Sequence, residues 1–128
     1  GFVPRSLMSP VQAVELLVSN GALPVLAHPL RSKAKSGRKD IDGLDDLIPV
    51  LGKAGLVGVE VHYGDYSIDQ KRRLNCISQK FGLVPCGGSD YHAAGNPIEI
   101  EPGDMGPPLE SVENLKRIKS ISGSLKYD

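Results

Sequence analysis

The feature that most constrains the fold is an alternation between short apolar runs and longer amphipathic segments. LPVLA at 23–27, VGVEVH at 57–62 and LVPC at 83–86 have the length and composition of buried strands. Helix-like segments precede the first run, separate the runs and follow the last one. Strands that alternate with helices are joined by crossover connections, which predicts an α/β fold with a parallel sheet.

The helical segments carry start signals and one internal interruption. Two of them begin with a Ser followed three residues later by a Gln, the spacing of a capping box: Ser9 with Gln12, and Ser67 with Gln70. In the segment LDDLIPVLGKAG, Pro49 removes a backbone donor, so we expect a kink or a second short helix there.

Helical periodicity predicts the buried faces of the first and last helices. Each has apolar residues three or four positions apart, which should face the core. These residues are Val11, Val14, Leu17 and Val18 in the first helix, and Leu109, Val112, Leu115 and Ile118 in the last.

Composition narrows the class of protein. Lys and Arg number 15, as do Asp and Glu, so no net charge favours nucleic acid or a membrane surface as partner. No apolar run approaches the roughly 20 residues that span a bilayer, and no signal-peptide pattern is present. Cys86 is expected in a buried strand and Cys76 in a helix core, without Cys-x-x-Cys spacing. These features predict a reduced, cytoplasmic protein with no membrane partner.

Each predicted strand ends on residues that can bind metal. His28 follows the first strand, Glu60 and His62 lie on the second, and Asp90 and His92 follow the third within CGGSDYH. Because the carboxyl ends of parallel strands meet at one edge of a sheet, we expect these residues to cluster there. Imidazole and carboxylate without a thiolate set suit Zn²⁺, Mn²⁺ or Fe²⁺. Such ions activate water for hydrolysis of phosphoryl or carbonyl groups.

Each of these residues also has a structural interpretation. His28 could end a strand before the chain turns, and Asp90 could cap the tight turn that Gly87–Gly88 is expected to open. Glu60 could point into the site or pair with a basic residue. Their joint placement after successive strands favours the functional interpretation.

Two further features are open to both interpretations. His62 could contact the site or pack beside Tyr63 and Tyr66. The basic run from Arg31 to Lys39 could be a solvated loop or a clamp on phosphate groups. Because the segment from Arg31 to Asp42 has little to bury, we expect it to be among the most mobile parts of the chain.

The motifs VLAHP, GLVGVEVHY and FGLVPCGGSDYHAAGNP, in this order, resemble the C-terminal half of the PHP domain. This is the polymerase and histidinol phosphatase family of metal-dependent phosphoesterases. The resemblance extends from about Gly21 to Leu115 and is specific because the motifs occur together. It is strongest to the stand-alone branch that acts on nucleotides and short oligonucleotides. It implies a distorted (β/α)7 barrel of parallel strands with up to three divalent ions, Mn, Zn or Fe, at their carboxyl ends.

The resemblance also implies roles for individual residues. His28, Asp90 and His92 are expected as metal ligands, with Asp90 and His92 also catalytic. Glu60, His62 and Tyr66 are candidates for contact with the substrate or with the ligands. The expected partner is a phosphate ester, either a small molecule such as a nucleotide or a short oligonucleotide degraded in the manner of an exonuclease.

The sequence departs from the family at one place. Family members begin with a His-x-His motif, which is absent among the three histidines here. We therefore expect residues 1–128 to be a single fragment, the C-terminal part of a PHP domain. Alone it should be inactive, and its exposed sheet edges could favour self-association. The alternative is a non-catalytic PHP-like binding or scaffolding module.

Overall fold

The computed structural model describes residues 6–30 and 41–125, although the side chains of 41–42 and 123–125 are outside that description. The elements follow one another as α1 (Pro10–Ser19), β1 (Val25–Leu26), α2 (Ile41–Ala54), β2 (Gly58–Tyr63), α3 (Ile68–Lys80), β3 (Val84–Gly88) and α4 (Leu109–Leu125). The strands pair in the order β1-β2-β3, and both pairings are parallel. The predicted α/β fold with a parallel sheet is confirmed, whereas closure into a barrel stays a prediction.

Both predicted capping boxes are present. Ser9 Oγ accepts the N–H of Gln12 at 3.2 Å, and the Gln12 side chain accepts the N–H of Ser9 at 3.0 Å. Ser67 and Gln70 make the same pair of bonds at the start of α3, at 3.1 and 2.9 Å. Each capping box thus gives partners to two backbone N–H groups at the start of a helix, four in all.

Helix α2 is longer than expected and continues through Pro49. It runs as one helix from Ile41 to Ala54. Of the two expectations for Pro49, the second short helix was wrong, and a kink stays a prediction. Ile48 and Leu51, on either side of Pro49, are both 1% exposed. Both belong to the apolar core, and their burial offsets the loss of one backbone hydrogen bond at Pro49.

The core lies between the sheet and the helices α1, α2 and α3. Its members are apolar residues that each of these elements contributes: Val14, Leu44, Ile48, Leu51, Leu56, Val59, Val61, Tyr63, Tyr66, Leu74, Ile77 and Leu83. Val14 is the buried core residue of α1. Leu17 and Val18 of the predicted stripe are 45% and 42% exposed. Of the first half of that stripe, Val14 is buried and Val11 is partly buried.

The last helix departs furthest from its predicted packing. Leu109 and Val112 are exposed, and Leu115 and Ile118 are only partly buried. Among the side chains of α4 that the structure describes, Ser111 is buried, and its hydroxyl donates to the carbonyl oxygen of Pro85 at 2.8 Å. Periodicity identified an apolar face but not the surface against which it would pack.

Two cysteine predictions had different outcomes. Cys86 is buried in β3, as expected, but Cys76 is exposed. Leu74 and Ile77 occupy the core-facing positions of α3, and Cys76 points away from them because a helix turns about 100° per residue. In the ranges that the structure covers, no helix combines the length and apolarity needed to cross a membrane.

The glycines of CGGSDYH do not form a tight turn. Gly87 and Gly88 are the last residues of β3 and pair with His62 and Tyr63 of β2. The pairing skips one residue between Glu60 and His62, which marks a β-bulge. A side chain at Gly87 would collide with His62, so the glycine here permits close strand approach and not a turn.

Candidate functional site

The predicted cluster begins where β1 meets β2. The backbone N–H of His28, just after β1, donates to Glu60 Oε2 at 2.6 Å. The N–H of Leu30 donates to the hydroxyl of Tyr66 at 3.0 Å. The carboxylate of Glu60 therefore points toward the end of β1, one of the two orientations predicted for it. Tyr66 is 7% exposed and supports the chain that follows His28.

Tyr63 connects this region to the end of β3. Its hydroxyl donates to Asp90 Oδ2 at 2.9 Å, and a weaker contact reaches Asp65 Oδ2 at 3.4 Å. Its ring centroid lies 5.9 Å from that of His28 and 5.0 Å from that of Tyr66. Sequence reasoning assigned Tyr63 only to packing, because a tyrosine at the end of a strand carries no motif of its own.

His28 and Asp90 both have left-handed backbones, with φ of 25° and 56°. Histidine and aspartate adopt this region more often than most residues, yet it remains uncommon outside glycine. Each such residue costs on the order of 1–3 kcal/mol and persists where the surroundings hold it. Here Glu60 holds the N–H of His28 and Tyr63 holds the carboxylate of Asp90.

The side chain of His92 is 70% exposed, and it lies beside Asp90. Its Nδ1 is 2.5 Å from the carbonyl oxygen of Asp90 and 3.8 Å from Asp90 Oδ1. When Nδ1 carries the proton for this hydrogen bond, the lone pair is on Nε2. A neutral imidazole in that tautomer can bind a metal through Nε2.

The predicted ligand set is partial in the described part of the chain. Among residues 6–30 and 41–125, no group of three or more His, Cys, Asp or Glu side chains is arranged to hold a metal ion. The donor types at His28, Asp90 and His92 suit a hydrolytic metal. Their assignment as ligands stays a prediction.

A cavity of about 400 Å³ opens beside Asp90 and His92. Its lining combines acidic, amide and apolar side chains: Tyr63, Gly64, Asp65, Ser89, Asp90, His92, Ala94, Asn96, Ile98, Glu99 and Ile100. Glu99 was missed by the sequence analysis, although its carboxylate accepts the N–H of His92 at 2.5 Å and of Ala94 at 3.1 Å. It lies in a loop rich in glycine and proline, where no periodic pattern indicates contacts.

His62 does not line this cavity. It lines a second cleft, between α3 and α4, with Lys71 and Arg72 on one side and Glu110 on the other. Burial lowers the pKa of His62, and the nearby charge of Lys71 lowers it further. The β-bulge between Glu60 and His62 separates these two side chains, which strict alternation would have put on one face.

The thiol of Cys86 lies near Glu60, and its pKa is raised by this environment. Burial raises its pKa, and the negative charge of Glu60 raises it further.

Two predictions fall outside the described residues. They are the phosphate clamp from Arg31 to Lys39 and the mobility of the segment from Arg31 to Asp42, of which only the backbone of residues 41–42 is described.

The chain is similar to curated phosphoesterases, although no family model matches it. It is 33% identical over 120 residues to the 3',5'-nucleoside bisphosphate phosphatase of Chromobacterium violaceum, covering 92% of this chain and 37% of that protein. It is 38% identical over 80 residues to the phosphoribosyl 1,2-cyclic phosphate 1,2-diphosphodiesterase of Eggerthella lenta, covering 62% of this chain and 27% of that protein. The chain thus spans 37% or less of the length of these relatives.

Solved structures share the fold. A protein from Bifidobacterium adolescentis named as a candidate metal-dependent phosphoesterase matches 89% of this chain and 38% of its own, with a TM-score of 0.72 and 23% identity. An amidohydrolase from Chromobacterium violaceum, with bound sulfate and no metal, matches 84% of this chain and 36% of its own, with a TM-score of 0.64 and 31% identity. These matches show the fold, which the parallel sheet and its helices had already indicated.

Proposed function

We propose that this chain is part of a metal-dependent phosphoesterase of the PHP type, acting on nucleotides or short oligonucleotides. The observation that carries the proposal is the meeting of His28 and Asp90, both left-handed, around Tyr63 at the carboxyl ends of parallel strands. Strained residues collect at functional sites, and ligands bind at this edge of parallel sheets. The names of both curated relatives refer to the hydrolysis of phosphate esters, which supports the same class of substrate.

In this proposal His28, Asp90 and His92 hold divalent metal, and Asp90 and His92 lie nearest the reacting phosphate. Zn²⁺, Mn²⁺ or Fe²⁺ bound there would supply an activated water and neutralise phosphoryl charge. Glu60 holds the backbone of His28, and Tyr63 holds the carboxylate of Asp90. Because the described donors are a partial set, we also propose that these residues form the C-terminal part of the domain and that other parts of the protein complete the site.

The charge of Asp90 provides the test. Asp90→Asn keeps the shape, tolerates the left-handed backbone and still accepts from Tyr63, but it removes the negative charge that offsets the cations. In the full-length protein we expect activity to fall by about two orders of magnitude or more with the fold intact. The measurement is phosphate release from a panel of nucleotides and short oligonucleotides with Mn²⁺, Zn²⁺ or Fe²⁺, alongside thermal unfolding.

Asp104→Asn is the matched control, because Asp104 is exposed in the same loop and does not line the cavity. It should retain wild-type activity. Wild-type turnover by Asp90→Asn with metal still bound would leave Asp90 as a structural residue only. A wild-type protein that binds nucleotides but hydrolyses no ester in the panel would favour the binding module instead.

A further inference from the structure

The segment after β3 has an unusual backbone around His92. Asp90 and Ala93 have φ of 56° and 55°. Alanine has no polar side chain to stabilise this conformation, which costs it roughly 1–2 kcal/mol. Contacts from elsewhere must therefore hold Ala93 in place.

The carboxylate of Glu99 supplies those contacts. One oxygen accepts the N–H of His92 at 2.5 Å, and the other accepts the N–H of Ala94 at 3.1 Å. The two bonds lie on either side of the strained Ala93. Hydrogen bonds to an ionised acceptor are roughly twice as strong as neutral ones. The backbone of Glu99 is itself fixed, because its N–H donates to the carbonyl oxygen of Asn96 at 3.0 Å.

Few other contacts from the described residues restrain His92. Its side chain is 70% exposed, so packing contributes little to its position. The ring is held by the carbonyl of Asp90, and the backbone is held by Glu99. Each oxygen of the Glu99 carboxylate thus accepts one of the two N–H groups that flank Ala93.

We propose that Glu99 is a positioning residue that clamps the backbone of His92 and Ala94 and so holds the His92 imidazole beside Asp90. In this role Glu99 acts through the position of His92. The role of the clamp rests on the proposed function, in which His92 binds metal. Residues that orient metal ligands are commonly worth 10–100-fold in metal affinity or activity.

Glu99→Gln tests the clamp directly. The side-chain amide has one acceptor oxygen, and its NH₂ cannot pair with a backbone N–H, so at least one of the two bonds is lost. In the full-length protein we expect amide hydrogen exchange at His92, Ala94 or both to accelerate about tenfold. Glu101→Gln is the control, because Glu101 is exposed and no hydrogen bond or ion pair of its carboxylate is found among the described residues. It should leave both amides unchanged.

The second measurement is metal affinity, determined by calorimetric titration, with kcat and KM determined in parallel. Glu99→Gln should weaken metal binding about 10–100-fold and lower kcat more than it raises KM. If that variant does not fold, Glu99→Asp keeps the charge but is one methylene too short to reach both N–H groups. The Glu99→Asp variant should show the same changes in metal affinity and kcat with a smaller magnitude.

The possible results distinguish a failure of the proposed clamp from a failure of the proposed function. Unchanged exchange at both amides in a folded Glu99 variant overturns the clamp, whatever happens to activity. Faster exchange with wild-type metal binding and turnover overturns its positioning role, while the proposed function still stands or falls on Asp90→Asn. A wild-type protein without metal binding or phosphoesterase activity refutes the proposed function, and the positioning role with it.

Discussion

Gly87 should be one of the least replaceable residues in the sheet, because the bulged strand β2 passes directly over it. A Cβ built at Gly87 would lie 2.4 Å from the carbonyl oxygen of His62 and 2.5 Å from its Cβ. Ordinary contact begins near 3.4 Å, so Gly87→Ala requires the two strands to separate by roughly 1 Å. The contacting atoms are backbone or next to it, so rotation of a side chain cannot relieve the collision.

The expected loss of stability is estimated by comparing Gly87 with its neighbour Gly88. Overpacking of this kind costs about 1–3 kcal/mol in the free energy of unfolding. Gly88→Ala meets nothing within 4 Å and has no left-handed φ, so it should be neutral or stabilise by about 0.4–1 kcal/mol. The two variants should therefore differ by roughly 1–4 kcal/mol in the free energy of unfolding, although they are adjacent in β3.

Urea unfolding followed by circular dichroism measures this difference. With an m-value of about 2 kcal/mol per molar urea, the midpoints of the two variants should differ by about 0.5–2 M. A Gly87→Ala midpoint equal to that of Gly88→Ala would refute the close approach at the bulge. Equal m-values are needed to attribute the shift to stability and not to a change in the unfolded state.

Further predictions concern the helices around the sheet. Ser111→Ala removes the buried hydrogen bond to Pro85 and should cost about 1–3 kcal/mol in the free energy of unfolding, measured by urea titration. Ser122→Ala, on the exposed part of α4, should change it by less than about 0.5 kcal/mol, and an equal loss would contradict the burial of Ser111. The lowered pKa of His62 means that the unfolded chain binds a proton more tightly than the folded one. Its contribution to stability is therefore complete above the unfolded pKa of about 6.5 and is lost as pH falls below it. Lys71→Met should raise the pKa of His62, as read by NMR titration of the imidazole, and lessen that acid-side loss; an unchanged pKa would exclude Lys71 as a cause.

Local signals in the sequence determined the order of elements and the candidate residues. The capping boxes at Ser9 and Ser67 involve bonds across three residues, so the chain encodes them without reference to the rest of the fold. The apolar runs similarly indicated strands, and a parallel sheet brought their carboxyl ends together. The sequence alone could thus place His28 and Asp90 near the same edge of the sheet.

The tertiary structure alone decided which side chains meet there. Tyr63 reaches Asp90 across 27 positions of sequence, and Glu60 reaches the N–H of His28 across 32. A one-residue bulge sent His62 to a different cleft from the one predicted by strict alternation. Glu99 gained its importance from a loop shape that no periodic pattern records. Such contacts depend on strand register and on the path of loops, which are set by the packing of distant residues and not by neighbours within a few positions.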